Sequence, residues 1–451
     1  MSIKAKLNTF DATMIVVSLV IGIGIFRTPA IVASSTGSAP LFFTAWVLGG
    51  VISFLGALTF AEIGARFTHP GAYYSVVAEC YHPALAFMLN WTNVVVVNGA
   101  GAAAVAIIGA EYLTPILLPP ALQSQLTVQV VATVLTLFLI TINYLGIRTG
   151  AWAQNILTLI KIGMILMLAF VAFRYGNSNP APLIQAGLGQ TWWIALGIGL
   201  ISVFYTYGGY QIALNFGADI KNAQKNMPRA IFFGILIIIA LYLVINAAYF
   251  RVLGLDGIAG AKLVAAEVAR VCFGRSAYLI VSIAIFLSAM GFVNVTLMQI
   301  PRTYYAMAEK KALPPIFMKV NERTQTQEFT LLFFGAMIVI SIFLLGTFEK
   351  IVNYVMFFDC LNNALVASTI FVLRRRARTG PEHLGYNVPF YPVLPALFVA
   401  FLLMIAVNVI LTQPGATYYG LMILALGYPI YLLLHRFSNK EASSPGGREK
   451  R

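Results

Sequence analysis

Long apolar segments, separated by short polar ones, run along most of this 451-residue chain. A helix needs about 20 residues to cross the hydrocarbon core of a bilayer, which is roughly 30 Å thick. Twelve segments are long enough to do so, and the pattern therefore predicts an all-α membrane protein with twelve transmembrane helices. The predicted spans lie at 11–36, 41–66, 84–113, 126–145, 151–174, 192–217, 229–252, 277–304, 329–348, 352–373, 391–412 and 415–436.

Glycine pairs interrupt two of these spans near their centres. In the first span, Gly22 and Gly24 begin about ten residues after Asp11, which places them near the bilayer midplane. In the sixth span, Gly208 and Gly209 follow Tyr205 and Tyr207, aromatic residues that carry a hydroxyl group. Glycine lets a helix unwind and brings its backbone close to a ligand, and lipid tolerates such a break only where protein or a cavity accepts the freed N–H and C=O groups. The alternative is that these small residues allow close helix packing.

The two interruptions occupy corresponding places in two successive groups of five spans. Glycine-interrupted spans in matching positions of two halves indicate a transporter built from inverted repeats, with its site at the breaks. An odd number of helices per repeat turns the second repeat upside down relative to the first, so both breaks meet at the midplane. We therefore predict an N-terminal segment at 1–10, a first repeat at 11–174, a second repeat at 192–377, two further helices at 391–436 and a disordered tail at 437–451.

The composition excludes a soluble enzyme, since 60% of the residues are hydrophobic, 10% are charged and the mean hydropathy is +0.85. The formal net charge of +14 indicates membrane topology rather than nucleic-acid binding, because the basic residues are spread over many short loops. An even number of spans puts both termini on one side, and that side holds three times as many basic residues as the other. The positive-inside rule then predicts cytoplasmic termini in a multi-pass protein of the plasma membrane.

The residue types that usually bind metals or catalyse covalent reactions are scattered along this sequence and form no cluster in it. The three cysteines and four histidines lack metal-ligand spacing, and the ionisable residues within the spans are too far apart to form a catalytic group. The sequence also lacks a Walker A motif for ATP hydrolysis. We therefore expect no metal and no cofactor, and a secondary transporter rather than a membrane-embedded enzyme or a sensor.

Four motifs in order resemble those of the amino acid-polyamine-organocation superfamily, in particular its sodium-independent amino acid permeases. The first span carries a G-x-G-I-F pattern at Gly22–Phe26, and the second ends in A-L-x-F-A-E-I-G at Ala57–Gly64. After the sixth span, Asp219–Asn222 begins a motif that has aspartate for the usual glutamate and lacks the first proline. The eighth span ends in R-x-x-Y-A-M-A at Arg302–Ala308. The loop at His69–Tyr73 departs from the pattern, since it keeps one glycine of the usual pair.

The resemblance implies the five-plus-five inverted-repeat fold of leucine-transporter type, with spans one and six unwound at the midplane. It also implies sodium-independent transport of amino acids by alternating access, through exchange or proton symport, with a polyamine or organic amine permease as the alternative. In this family the first-span motif holds the substrate carboxylate, and the sixth-span backbone holds the amino group beneath an aromatic gate. By position, the carboxylate role falls to Ile23, Gly24 and Ile25, and the amino-group role to Phe204, Tyr205 (the gate), Tyr207 and Gly208. Core packing is the alternative for the three aromatic side chains.

Lys161 lies about ten residues into the fifth span among apolar neighbours. A lysine at that depth is costly and is functional by default, although snorkelling to the interface is an alternative. The resemblance implies that it takes the place of the sodium ion of sodium-coupled relatives, against spans one and eight. Ser288 and Asn294 on the eighth span are its candidate partners, or they form hydrogen bonds between helices without a further role.

Other polar residues within the spans receive no fixed role. Asp359, Asn362 and Asn363 on the tenth span are unassigned candidates for the wall of the pathway. Glu62 and Arg66, one helical turn apart, form either a local pair or an inner gate. Since no acidic residue is apparent near either break, we expect a small or neutral amino acid as substrate rather than arginine, lysine or a polyamine.

Overall fold

The structure is helical. This computed structural model describes residues 5–22, 24–93, 98–175, 192–261, 263–274, 277–344, 348–377, 385–412, 418, 421–422 and 424–434. Strand pairing within these ranges is limited to two isolated bridges. In chain order the helices are α1 (Thr9–Val20), α2 (Gly24–Thr36), α3 (Ala39–Arg66), α4 (Ala72–Cys80), α5 (Pro83–Thr92), α6 (Asn98–Leu117), α7 (Gln125–Tyr144), α8 (Ile147–Tyr175), α9 (Trp192–Tyr207), α10 (Ala223–Gly260), α11 (Val264–Phe273), α12 (Ala277–Glu309), α13 (Glu328–Leu344), α14 (Phe348–Ala377) and α15 (Val393–Thr412), followed by an apolar helix at Leu424–Leu434.

Seven helices within the described ranges are long and apolar enough to cross a membrane, or eight if α1 and α2 are counted as one bent span. These seven are α3, α6, α7, α8, α10, α12, and α9 together with the short turn that follows it to Asn215. α13, the stretch Val393–Asn408 of α15 and the helix Leu424–Leu434 are apolar but shorter, and α14 covers the tenth predicted span. The all-helical architecture with membrane-length apolar helices is therefore confirmed, whereas the count of twelve spans stays a prediction.

Two α-helices in the described part of the chain lie outside the predicted spans. The apolar pattern does not predict α4 and α11, which have 9 and 10 residues. At 1.5 Å per residue such helices are about 15 Å long, too short to cross the hydrocarbon core. Helices of this length therefore do not produce the long apolar segments by which the other helices were predicted.

Glycines let several long helices approach one another closely. A Cβ at Gly234 of α10 would lie 2.4 Å from Cγ1 of Val16 in α1, and a Cβ at Gly49 of α3 would lie 2.4 Å from Cγ1 of Val203 in α9. Lipid tails are as apolar as the side chains, so membrane helices associate through close packing rather than through the hydrophobic effect. Helix α1, which precedes the first interruption, is thereby packed against a helix of the second predicted repeat.

A buried ion pair joins two of the sequence motifs. Arg302 in α12 donates from Nε and Nη2 to the two carboxylate oxygens of Asp219, at 2.8 and 3.1 Å, and both side chains are almost fully buried. The carbonyl of Asp219 also accepts the backbone N–H groups of Lys6 and Leu7, each at 2.8 Å. The motif that follows the second interruption therefore binds both α12 and the segment that precedes α1.

Removing the Asp219 carboxylate should destabilise the protein far more than removing an exposed acid. Asp219→Ala leaves Arg302 buried without its partner, which costs about 3–5 kcal/mol. Glu267→Ala breaks the Glu267–Arg270 pair, whose side chains are 42% and 71% exposed, and exposed pairs contribute about 0–1 kcal/mol. Thermal unfolding of both purified variants in detergent compares the two losses. Equal losses would show that the Asp219–Arg302 pair does not stabilise the fold.

Candidate functional site

The backbone of the first span is interrupted between α1 and α2. Helix α1 ends at Val20, α2 begins at Gly24, and the axes of the two helices differ by 44°. Ile21 has a non-helical ψ of 87°, and the N–H of Gly22 bonds to the carbonyl of Val20, two residues back, at 2.8 Å. The regular hydrogen-bond ladder stops here, so the last carbonyls of α1 need donors from elsewhere.

Side chains from two other helices lie at the carbonyl of Ile21. Lys161 of α8 donates to it from Nζ at 3.1 Å, and Oγ of Ser288 in α12 lies at 3.5 Å. Lys161 is buried, and its Nζ also lies 3.3 Å from Oγ of Ser18 in α1. A Cβ at Gly291 of α12 would lie 2.7 Å from Nζ, so this glycine leaves the space that the lysine occupies. The structure thus brings Lys161 and Ser288 together at the first interruption.

The second interruption follows α9 and lies directly against the first. Gly209 adopts φ +120°, and a Cβ there would lie 2.4 Å from the carbonyl oxygen of Leu19, too close for any side chain. The hydroxyl of Tyr242 in α10 lies 3.1 Å from the carbonyl oxygen of Val20 and 3.2 Å from that of Thr206. One buried hydroxyl therefore contacts the last turns of both interrupted helices.

A cavity of about 440 Å³ lies beside the two interruptions, within the usual size range of small-molecule sites. Gly22 and Gly24 line it from the first interruption, and Tyr205 and Thr206 line it from the end of α9. One face of α12 adds a polar wall, made of Ser288, Thr296, Gln299 and Thr303. The cavity thus offers bare backbone at the interruptions and hydrogen-bonding side chains along α12.

Of the three residues predicted to hold the substrate carboxylate, one lines the cavity. Gly24 lines the cavity, and Ile25 is buried without lining it. Ile23 lies outside the described residues. A Cβ at Gly24 would lie 3.2 Å from Cγ2 of Thr206, so a larger side chain there would crowd both the cavity wall and α9.

Among the four residues assigned to the amino group, Tyr205 lines the cavity and the others do not. The hydroxyl of Tyr205 lies 3.0 Å from Sγ of Cys360 in α14. Phe204 packs against aromatic rings of α15, and Tyr207 is fully buried against aromatic rings of α3 and α10. Gly208 borders a smaller pocket beside the cavity. The side chains of Phe204 and Tyr207 therefore pack in the core, and a substrate role for these two residues depends on their backbone carbonyls.

Asn294 does not contact Lys161 directly. Its side-chain amide accepts from Asn143 of α7 and donates to Gln154 of α8, each at 2.7 Å. Gln154 in turn donates to Ser18, the same hydroxyl that Lys161 reaches. Asn294 is thus connected to the lysine through two further side chains.

The cavity contains an acidic residue to which the sequence pattern gave no role. Asp359 of α14 lines it together with Tyr205 and Asn362. The expectation of a neutral substrate rested on the apparent absence of an acid near either interruption, and that premise is wrong, since Asp359 and Gly24 border the same cavity. The signal in the sequence is a carboxylate inside an apolar span, a feature that marks substrate pathways. The sequence does not show that this side of the tenth span faces the break.

Glu62 takes part in a larger cluster than a pair with Arg66. The Glu62–Arg66 pair is present at 2.7 Å, and the carboxylate also accepts from Nε and Nη2 of Arg374 in α14, at 2.9 and 2.7 Å. The backbone N–H of Val388 donates to it at 2.7 Å. Burial and, to a smaller extent, the negative charge of Glu62 raise the pKa of Tyr386 in the segment before α15. This cluster joins α3, α14 and that segment, and it does not border the cavity.

Comparison with known proteins identifies the family. The sequence profile described as amino acid permease matches residues 7–434 of the chain. The chain therefore belongs to this family, within the amino acid-polyamine-organocation superfamily. It is a permease of the membrane and not an enzyme.

Several named transporters are similar to the chain over most of its length. The serine/threonine exchanger SteT of Bacillus subtilis (strain 168) is 26% identical over 432 residues, which cover 95% of this chain and 96% of the relative. The b(0,+)-type amino acid transporter 1 of Homo sapiens is 26% identical over 411 residues, or 88% and 82% of the two chains. The large neutral amino acids transporter small subunit 2 of Homo sapiens is 26% identical over 447 residues, or 96% and 81%. The predicted class of protein is confirmed.

Gly291→Ala should displace Lys161 from the first interruption. The added methyl group would lie 2.7 Å from both Cε and Nζ of the lysine, so the end of the lysine side chain must shift from its place at the carbonyl of Ile21. We expect amino acid uptake into proteoliposomes to fall about ten-fold or more. Gly163→Ala on α8 is the control, since no atom beyond the adjoining backbone of its own helix lies within 4 Å of that Cβ position. In a Lys161→Ala background, Gly291→Ala should have no further effect, and an additive loss would contradict this account.

Proposed function

We propose that this permease is a sodium-independent secondary transporter that moves amino acids across the plasma membrane by alternating access. The observation that carries the proposal is the meeting of two interrupted helices at one cavity, with the bare backbone of Gly22 and Gly24 on its wall. In a protein of twelve spans with two inverted five-helix repeats and cytoplasmic termini, this meeting point lies at the bilayer midplane. A site there can be exposed to either side by a movement of one repeat against the other.

An α-amino acid matches the helix ends at the two interruptions. Helix α2 starts at Gly24, and a helix N-terminus presents free N–H groups and a positive dipole end, which suit a carboxylate. Helix α9 ends at Tyr207, and carbonyls at a helix C-terminus suit an ammonium group. The proposal assigns the substrate carboxylate to the backbone of Ile23, Gly24 and Ile25, and the amino group to carbonyls near the end of α9.

Gly24→Val should abolish substrate binding in a protein that still folds. A Cβ there would lie 3.2 Å from Cγ2 of Thr206, so the branched side chain would fill the cavity wall where the carboxylate is proposed to bind. Stabilisation of the purified variant against thermal unfolding by added amino acids measures binding, and its unfolding temperature without substrate measures folding. Gly163→Val is the control at an open position. Undiminished stabilisation of Gly24→Val would refute the carboxylate assignment.

We further propose that Lys161 replaces a bound sodium ion. Its Nζ lies between the carbonyl of Ile21, at 3.1 Å, and Gly291 of α12. A positive charge at this place ties the first interruption to α8 and leaves no vacancy for a sodium ion. Ser288 supports the same carbonyl, and Asn294 orients Gln154 within the surrounding network.

Transport should continue when all external sodium is replaced by choline and should fail in Lys161→Ala. The first result is expected because the lysine occupies the position of the ion, and the second because nothing else in the described network donates a charged group to Ile21. Uptake of a panel of labelled amino acids into sealed proteoliposomes measures both, with a loss of about ten-fold or more for the variant. Loss of wild-type uptake in choline would overturn the assignment of Lys161.

Exchange and proton symport are the two modes of transport under this proposal. The similar serine/threonine exchanger SteT is named for exchange, which favours that mode here. Exchange predicts that labelled uptake rises when vesicles are preloaded with amino acid and does not respond to an imposed pH gradient. Accumulation driven by the gradient without preloading would instead assign proton symport, with a proton released from Lys161 during the cycle.

A further inference from the structure

Asp359 is a carboxylate in the cavity that the proposed function does not use. It lies near the middle of α14, is half-buried, and lines the same cavity as Gly24 and Tyr205. Within the described part of the chain, the ion pairs involve other acids, and no lysine, arginine or histidine is paired with Asp359. Ionisable residues inside membrane spans pair with one another or face a pathway. Asp359 faces the cavity.

A polar side chain on the same helix, Asn363, lies near Asp359. The hydroxyl of Tyr73 donates to Oδ1 of Asn363, which fixes the oxygen end of that amide and leaves its NH₂ group for another acceptor. Asn363 and Asp359 border the same small pocket beside the cavity. An ionised carboxylate accepts about four hydrogen bonds. The amide NH₂ group is therefore a neighbouring donor that can satisfy only part of this accepting capacity, and the rest is left for a group in the cavity.

Tyr205 connects the second interruption with the part of α14 that carries Asp359. Tyr205 belongs to the last turn of α9, and its hydroxyl lies 3.0 Å from Sγ of Cys360, the residue next to Asp359. Tyr205 and Asp359 both line the cavity. A substrate whose amino group binds at the second interruption would therefore share the cavity with this carboxylate.

We propose that Asp359 is a specificity-determining residue that binds the cationic side chain of a dibasic amino acid. The inference rests on the proposed function, which places the α-amino and α-carboxylate groups at the two interruptions. A carboxylate without a basic partner attracts a cation and accepts charge-assisted hydrogen bonds from it, and the low dielectric of the cavity strengthens both effects. This assignment reverses the preference for neutral side chains that the sequence suggested.

Lysine and norleucine test this inference, because norleucine has a straight side chain of similar length that ends in a methyl group instead of an ammonium. Binding of each to the purified full-length permease is measured in detergent by stabilisation against thermal unfolding. We expect the wild type to bind lysine at least about ten-fold more tightly than norleucine. Asp359→Asn should remove that preference and leave norleucine affinity within about two-fold. Asp256→Asn, an exposed acid on α10 outside the cavity, is the control and should change neither affinity.

The remaining outcomes would contradict either the role of Asp359 or the proposed function. If Asp359→Asn weakens lysine and norleucine equally, Asp359 only supports the shape of the cavity and the inference is wrong. If the wild type binds norleucine as well as lysine, the inference fails whether or not the variant folds, while the proposed amino acid transport stands. If the wild type binds no member of an amino acid panel, the proposed function itself fails.

Discussion

A carbonyl at the end of an interrupted helix in a membrane has no water and no backbone donor to pair with, and the centre of this protein is arranged around that constraint. The carbonyl of Ile21 is met by Lys161 and Ser288, and that of Val20 by Tyr242. These donors come from α8, α12 and α10. Helix α1 can therefore end at Val20 because three surrounding helices carry the donors that its own continuation would have supplied.

The same requirement accounts for the glycines around the interruptions. Gly291 leaves room for a lysine side chain, and Gly209 leaves room for the carbonyl of Leu19, so neither position accepts even a methyl group without displacing a backbone or charged atom. Gly22 is different, because no atom outside its own turn lies close to its Cβ position. The absent side chain there opens the cavity instead of allowing close packing. Glycines of similar appearance in the sequence thus have three different physical roles.

The elements of the site that depend on a single span could be predicted from the sequence. The breaks were marked by glycines inside apolar runs, and Lys161 was marked by a charge at a depth where charge is costly. Features that depend on how two spans face each other could not be predicted. The sequence contains both Asp219 and Arg302 within recognisable motifs, yet their pairing depends on the packing of α12. In the same way, the rotation of α14 about its axis decides that Asp359 faces the cavity.

Helix α1 is held at both ends by the chain that follows the second interruption. At the start of α1, Lys6 and Leu7 donate to the carbonyl of Asp219, and the N–H of Lys221 donates to Leu7 at 2.9 Å. At the other end, the backbone of Leu19 lies against Gly209. Residues 209–221 and α1 therefore cannot rotate separately without breaking these hydrogen bonds. If the proposed alternating access occurs by a rocking motion, these contacts couple α1 to residues 209–221, and the two segments flanking the interruptions would then move together.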